Sequence, residues 1–190
     1  MIRLIYFIRI VFWVIVSKIL YGRNVRVIKG LPRMVVNGEF VFGRSFTAGK
    51  DFRLEVIERD ARIEFGERVK INDYFHIGAV RSIYIGDDVL IGSRVTVVDH
   101  GHGNYSGAGC SNPQTPPDDR ELLGLPIRIE KNVWLCEGVV VLPGVTIGAG
   151  SIIGANSVVV SDIPPGSIAV GVPAKVVKKY SESLKEWIKP

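Results

Sequence analysis

From residue 127 to residue 172 apolar positions recur every six residues. Ile129, Leu135, Val141, Ile147, Ile153 and Val159 fall six apart, and Val133, Val139, Val145, Ser151, Ser157 and Ile163, each small or branched, follow them by four. A period of six matches neither the 3.6-residue helix nor the two-residue alternation of a simple strand. It describes a short strand followed by a sharp corner, repeated three times to close a triangular coil. Gly148, Gly154 and Gly166 supply residues free to take positive φ where such corners are tight. A single coil cannot bury its apolar face, whereas stacked coils share one continuous core. The spacing therefore predicts an all-β fold, a left-handed parallel β-helix of hexapeptide repeats.

Upstream the same period runs in shifted phases. Phe65, Ile71, Ile77 and Ile83 keep one register, and Ile85, Ile91 and Val97 another, offset by two around "IGAVRSIYIGDD". Phe42, Ala48 and Leu54 suggest that coils begin near residue 40, so the β-helix domain is expected over residues 39–180. Between Val97 and Ile127 the period vanishes into "DHGHGNYSGAGCSNPQTPPDDRELLGLP", predicting a loop over 99–126 projecting from one edge of the prism. Patternless chain of that length inside a repeat domain is usually functional. The final "SESLKEWIKP", residues 181–190, reads as a short amphipathic helix capping the open end of the core. With 190 residues, 47% apolar content and 21 glycines the chain can bury one adequate core and turn many corners. Cys110 and Cys136 match no metal or disulfide spacing, which points to a reduced, cytoplasmic setting.

Residues 1–38 are a different material, an apolar and basic helix followed by a linker. "MIRLIYFIRIVFWVIVSKILYG" is almost wholly apolar, but Arg3, Arg9 and Lys18 interrupt it, so its longest uncharged run is about half of what a bilayer crossing needs. It has no small-residue cleavage site. Arg23, Arg26, Lys29 and Arg33 follow, and no acidic residue precedes Glu39. Seven cations without an acid, beside Trp, Tyr and Phe, predict a helix in the interface of an anionic membrane, with residues 1–33 as the contact. The alternatives are packing against the prism or a neighbouring subunit, and a true span.

The stretches "VWLCEGVVVLPGVTIGAGSIIGANSVV" and "AVGVPAKVVKKY" carry a family likeness. Over about residues 60–180 the chain resembles the hexapeptide-repeat O-acetyltransferases, most of all the maltose/galactoside acetyltransferases and the members that modify surface polysaccharides. The resemblance implies a homotrimer with acetyl-CoA lying in a groove between neighbouring β-helices, a sugar or glycan acceptor, no metal and no nucleic acid. It implies His102 as the catalytic base, since His102 falls on the family's catalytic histidine when counted from Val95 without a gap. A sugar hydroxyl has a pKa far above neutrality, and histidine is the side chain suited to remove its proton. His100, two residues earlier, is expected to support the base or contact the acceptor. His76 is expected to be structural. On the acceptor side, Asn72 matches the acceptor-binding asparagine, with a stacked asparagine ladder of the β-helix as the equal alternative; Asp99 adjoins the histidines, with orientation of an imidazole and a solvated loop carboxylate as equal readings. For the donor, the resemblance implies that Trp134 packs beside the pantetheine arm, Ala155 leaves room for it, and Lys178, with Lys175 and Lys179 around it, meets the phosphates. Where relatives carry glycine, this chain has Cys136 and then Glu137, larger groups bordering the groove.

The expected activity is direct acetyl transfer to a hydroxyl of a bacterial surface polysaccharide or its lipid-linked precursor, with the enzyme peripheral on the inner face of the cytoplasmic membrane. Alternatives are a small-sugar O-acetyltransferase, a γ-type carbonic anhydrase using three histidines on zinc, and a non-catalytic hexapeptide scaffold. The carbonic anhydrases space their histidines differently, and a scaffold leaves the His pair and the loop unexplained.

Overall fold

Three flat faces, each a parallel sheet, carry the six-residue period around a left-handed β-helix of about seven turns. The computed structural model describes residues 2–190. Met1, which opens the expected 1–38 segment, lies outside the described residues. Face A stacks Val25–Ile28, Phe46–Ala48, Lys70–Ile71, Leu90–Ile91, Trp134–Leu135, Ile152–Ile153 and Ser167–Val170. Face B stacks Arg33–Val36, Arg53–Val56, His76–Ala79, Thr96–Val98, Val140–Val141 and Val158–Val159. Face C stacks Glu39–Phe42, Arg62–Phe65, Ser82–Ile85, Ile127–Ile129 and Thr146–Ile147.

The solenoid starts at Val25 and not near residue 40, so residues 25–36, expected as linker, form the first two strands. The cause is coil length. Trp134 pairs with Ile152 after three hexapeptides, whereas Thr47 reaches its partner only at Lys70 and Lys70 its partner at Leu90. Longer corners spoil the period without spoiling the stacking. The wider early coils are filled by large rings: Phe42 stacks on Phe46 with centroids 4.3 Å apart, and Phe52 on Phe75 at 5.9 Å. Later coils are filled by Val, Leu and Ile, all buried. Coils also approach too closely for side chains at some corners. A Cβ on Gly43 would lie 2.1 Å from the carbonyl oxygen of Gly66.

Both ends are closed. Helix α1 (Ile2–Tyr21) docks through Ile10, Trp13, Val14, Ser17 and Tyr21, the i, i+3, i+4 face of its second half. The buried Ser17 hydroxyl accepts the Ile28 amide at 2.8 Å, and Tyr21 meets Phe42 edge-on at 6.4 Å. At the other end the expected capping helix is absent. Lys175–Ser181 runs antiparallel to Ser167–Val170, and Glu186–Ile188 pairs back onto it, closed by Tyr180 against Trp187 at 5.4 Å. A ten-residue helix is marginal alone, while an open sheet edge offers the same backbone a full set of partners. Pro164, Pro165 and Pro173 flank this last coil.

The projecting loop leaves the corner between faces B and C of one coil. Its base is a two-stranded antiparallel ribbon, His100–His102 with Leu122–Gly124, and one short 3₁₀ turn, Pro117–Asp119, comes just before the returning strand. Asp99 belongs to the corner and not to the loop.

Candidate functional site

The corners between faces A and B stack into one continuous edge. Asn72 donates its amide to Ile91 at 2.9 Å, Gly92 to Leu135 at 2.8 Å and Cys136 to Ile153 at 2.9 Å. The third residue of each corner takes positive φ: Asp51, Tyr74, Arg94, Gly138 and Asn156. Asn72 and Ala155 are therefore exposed on the same edge, separated by stacked coils. Beside them on face A, Trp134 is 45% exposed and registers laterally with Ile152, then Ile168, then Lys178. Three strand spacings, roughly 14 Å, separate Trp134 from Lys178. The exposed Lys175 and Lys179 lie on the same strand as Lys178. Glu137 turns along the edge into an ion pair with Arg94. Burial pushes the Cys136 thiol above its ordinary value, away from the thiolate that a nucleophile requires.

His100 and His102 occupy the opposite border of face B. Asp99 is fully buried; its carboxylate accepts the amides of Val80 and Arg81, both at 2.9 Å, and its Oδ1 lies 3.1 Å from His100 Nδ1. That bond holds the half-buried His100 ring in one orientation and leaves Nε2 as its other polar atom. His102, on the same ribbon, is exposed. Its backbone is braced: the Tyr105 hydroxyl donates to the His102 carbonyl, and Arg120 donates to Tyr105 at 2.7 Å and to the Thr115 carbonyl at 2.6 Å. Tyr105 and Arg120 had no motif to announce them, since their role depends on how the loop folds back.

His76 pairs with Glu55 at 3.0 Å, and Glu55 also receives Arg53 at 2.7 Å. The two pairs converge over Gly78, where a Cβ would lie 3.5 Å from His100 Cε1 and 3.7 Å from His76 Nε2, both ordinary van der Waals contacts. Among the described residues no three His, Cys, Asp or Glu side chains converge as metal ligands. Burial raises the Glu55 carboxyl, but Arg53 and His76 outweigh it and hold the group below the usual glutamate range. A depressed carboxyl adds stability above the unfolded-state pKa of about 4.3 and loses it as pH falls through the folded value. Glu55→Gln should therefore lower Tm at pH 7 and flatten the fall of Tm with acidification below about pH 4.3. Parallel Tm–pH curves for both proteins would exclude this coupling.

Within one chain the two groups of residues are not brought together. Asn72 and the His100–His102 ribbon sit at opposite borders of face B, separated by roughly 20 Å of extended chain.

Comparison with known proteins fits this geometry. The family model "Bacterial transferase hexapeptide (six repeats)" matches residues 126–161, and "Hexapeptide repeat of succinyl-transferase" matches residues 82–101. WbbJ of Escherichia coli (strain K12), whose name provisionally assigns it O-acetyl transfer in lipopolysaccharide biosynthesis, is 43% identical over 185 residues, 96% of this chain and 93% of that protein. The galactoside O-acetyltransferase of the same strain is 39% identical over 106 residues, 56% of this chain and 48% of that one. Among solved structures, a hexapeptide-repeat acetyltransferase of Vibrio cholerae O1 biovar eltor complexed with acetyl-coenzyme A aligns with a TM-score of 0.54 and 28% identity, covering 80% of this chain and 72% of the other. A galactoside acetyltransferase in complex with coenzyme A aligns at 0.53 and 28%, covering 92% and 74%.

Proposed function

The chain belongs to the hexapeptide-repeat O-acetyltransferases, and from that premise we propose that it transfers acetyl from acetyl-CoA to a hydroxyl of a surface glycan or its lipid-linked precursor. The observation that carries the reading is the division of the site. One border of face B holds His100 and His102, and the other holds an edge leading from Asn72 past Trp134 and Ala155 to Lys178. A homotrimer that sets the first border of one copy against the second border of its neighbour would complete three sites at once. The outer surface of face B suits such contact in its later coils, where Thr96, Val140 and Val158 carry no charge. Face C suits solvent, with Arg62, Glu64 and Arg128 in ion pairs.

In this reading His102 takes the proton of the acceptor hydroxyl, and the oxygen attacks the thioester carbonyl carbon. A backbone N–H near the edge stabilises the oxyanion. The carbon–sulfur bond then breaks, and the coenzyme A thiolate recovers the proton from the imidazolium. No acyl-enzyme forms. The strip from Trp134 to Lys178 follows the order of acetyl-CoA itself, thioester end, uncharged arm, then phosphates. The Asp99–His100 bond favours a second assignment, with His100 as the base, since its tautomer is already fixed. The peripheral membrane location rests on α1. Arg3–Tyr21 is long and apolar enough to cross a bilayer, but its second half is bonded to the first coil, which favours lying in the interface.

Reversing the charge at Lys178 tests the donor half. Lys178→Glu should raise KM for acetyl-CoA and reduce the salt sensitivity of that KM, because a screened charge contact is lost. The variant should also distinguish CoA from dephospho-CoA donors less sharply. An unchanged KM would move the phosphate site elsewhere.

A further inference from the structure

Between α1 and the stacked A/B edge lies an open cleft of about 450 Å³. Tyr6, Ile10 and Trp13 of α1 form one wall. Arg9, Lys29 and Lys50 bring three cations to the lining, against the carboxylates of Asp51 and Asp73. None of the three cations is in an ion pair among the described residues. Asp73 already accepts the Lys50 amide at 2.8 Å. The lining is thus net cationic, with its three cations outside any ion pair among the described residues, and aromatic on the side of the helix. Asp73 is the chain neighbour of Asn72, and Lys50 lies one coil before it, about 4.8 Å along the edge. The cleft therefore opens between the exposed apolar surface of α1 and the edge of the acetyl-transfer site.

We propose that this cleft binds the phosphate of a lipid carrier on which the acceptor glycan is presented. The inference rests on the acetyl-transfer reading and narrows its acceptor to a polyprenyl-phosphate-type conjugate. The chemistry is complementary part by part. The outward face of α1 meets the acyl layer, Tyr6 and Trp13 lie at the level where aromatic rings favour the bilayer interface, and the cations meet the phosphate at headgroup depth. From a phosphate held between Lys29 and Lys50, the attached sugars extend along the edge towards Asn72.

The test is binding of full-length protein to neutral phosphatidylcholine vesicles doped with a polyprenyl phosphate, compared with vesicles given the same surface charge by cholesteryl hemisuccinate, a carboxylate. The expected result is at least roughly tenfold tighter binding to the phosphate-bearing vesicles. Lys29→Gln with Lys50→Gln should remove that preference by weakening the phosphate arm roughly 30-fold, while the carboxylate arm changes far less. Arg9→Gln alone should shift the preference in the same direction, and acetyl-CoA binding by each variant confirms an intact fold. Equal binding of wild type to both vesicles overturns the proposal, as does an equal loss on both in the variants, which would mean general surface attraction. Tight binding of inorganic pyrophosphate without any vesicle preference overturns it too, since the source would then be a soluble phosphate. The readout is independent of turnover. Failure to acetylate any glycan counts against the transferase reading, whereas loss of the vesicle preference in an active enzyme counts against the cleft alone.

Discussion

His102→Ala is expected to lower kcat by roughly 10²–10⁴-fold while leaving acetyl-CoA affinity nearly unchanged. The base acts on the acceptor hydroxyl as the transition state forms and makes no contact with the nucleotide, so the loss belongs in kcat. His100→Ala should be milder. Its ring is held by Asp99, and removing it frees a buried carboxylate that still accepts two backbone amides. The Asp99–His100 assignment predicts the reverse order of severity. Single-turnover rates for the two alanine variants, with acetyl-CoA binding measured alongside, separate the assignments. Activity equal to wild type in His102→Ala would remove that residue from the chemistry.

Membrane binding should collapse when charges are placed on the outward face of α1. Ile8, Phe12 and Ile15 recur at i, i+4 and i+7 and are 57%, 55% and 53% exposed. Around them Leu4, Ile5, Phe7, Val11 and Ile19 are also exposed. A soluble helix turns such residues inward; here the docking face is already occupied by the first coil, and an apolar face is left outside. Ile8→Glu with Phe12→Glu and Ile15→Glu should reduce flotation with anionic vesicles on the order of a hundredfold or more. Acetyl-CoA binding should persist because the docking face is untouched. Deleting the whole helix is a poorer experiment, since it would uncover Ile28 and Phe42 and confuse unfolding with release. High salt should weaken the attachment of the wild type, as expected of an interfacial helix that carries Arg3, Arg9 and Lys18. Flotation by the triple variant at wild-type level would assign the outward face to a protein neighbour.

The later coils were legible in the sequence because their strands and corners keep to multiples of six residues. The earlier ones were not, since corners of other lengths shift the phase while the hydrogen-bonded stacking continues unaltered. The terminal segment "SESLKEWIKP" looks helical in isolation, and Glu186–Ile188 becomes a strand only because Lys175–Ser181, itself paired on Ser167–Val170, presents it an open edge, information that lies elsewhere in the chain. The break in the six-residue pattern located the ribbon that carries the His pair, and on that extended ribbon a spacing of two puts His100 and His102 on one face. It left Asp99 with two equal readings; the structure buries its carboxylate against His100. The Glu55–His76 pair and the cleft beside α1 join residues that are distant in sequence, and no spacing rule announces them.

The closed ends of the solenoid also govern how copies can assemble. A stack of parallel strands is a template that could in principle lengthen indefinitely, each molecule adding to the open rung of the last. Here the first rung lies beneath α1, and the last is folded over by an antiparallel hairpin and bordered by Pro164, Pro165 and Pro173, whose nitrogens have no hydrogen to donate. End-to-end growth into a fibre is blocked at both poles. Lateral association through the flat sides, which closes on itself after a fixed number of copies, remains the open route.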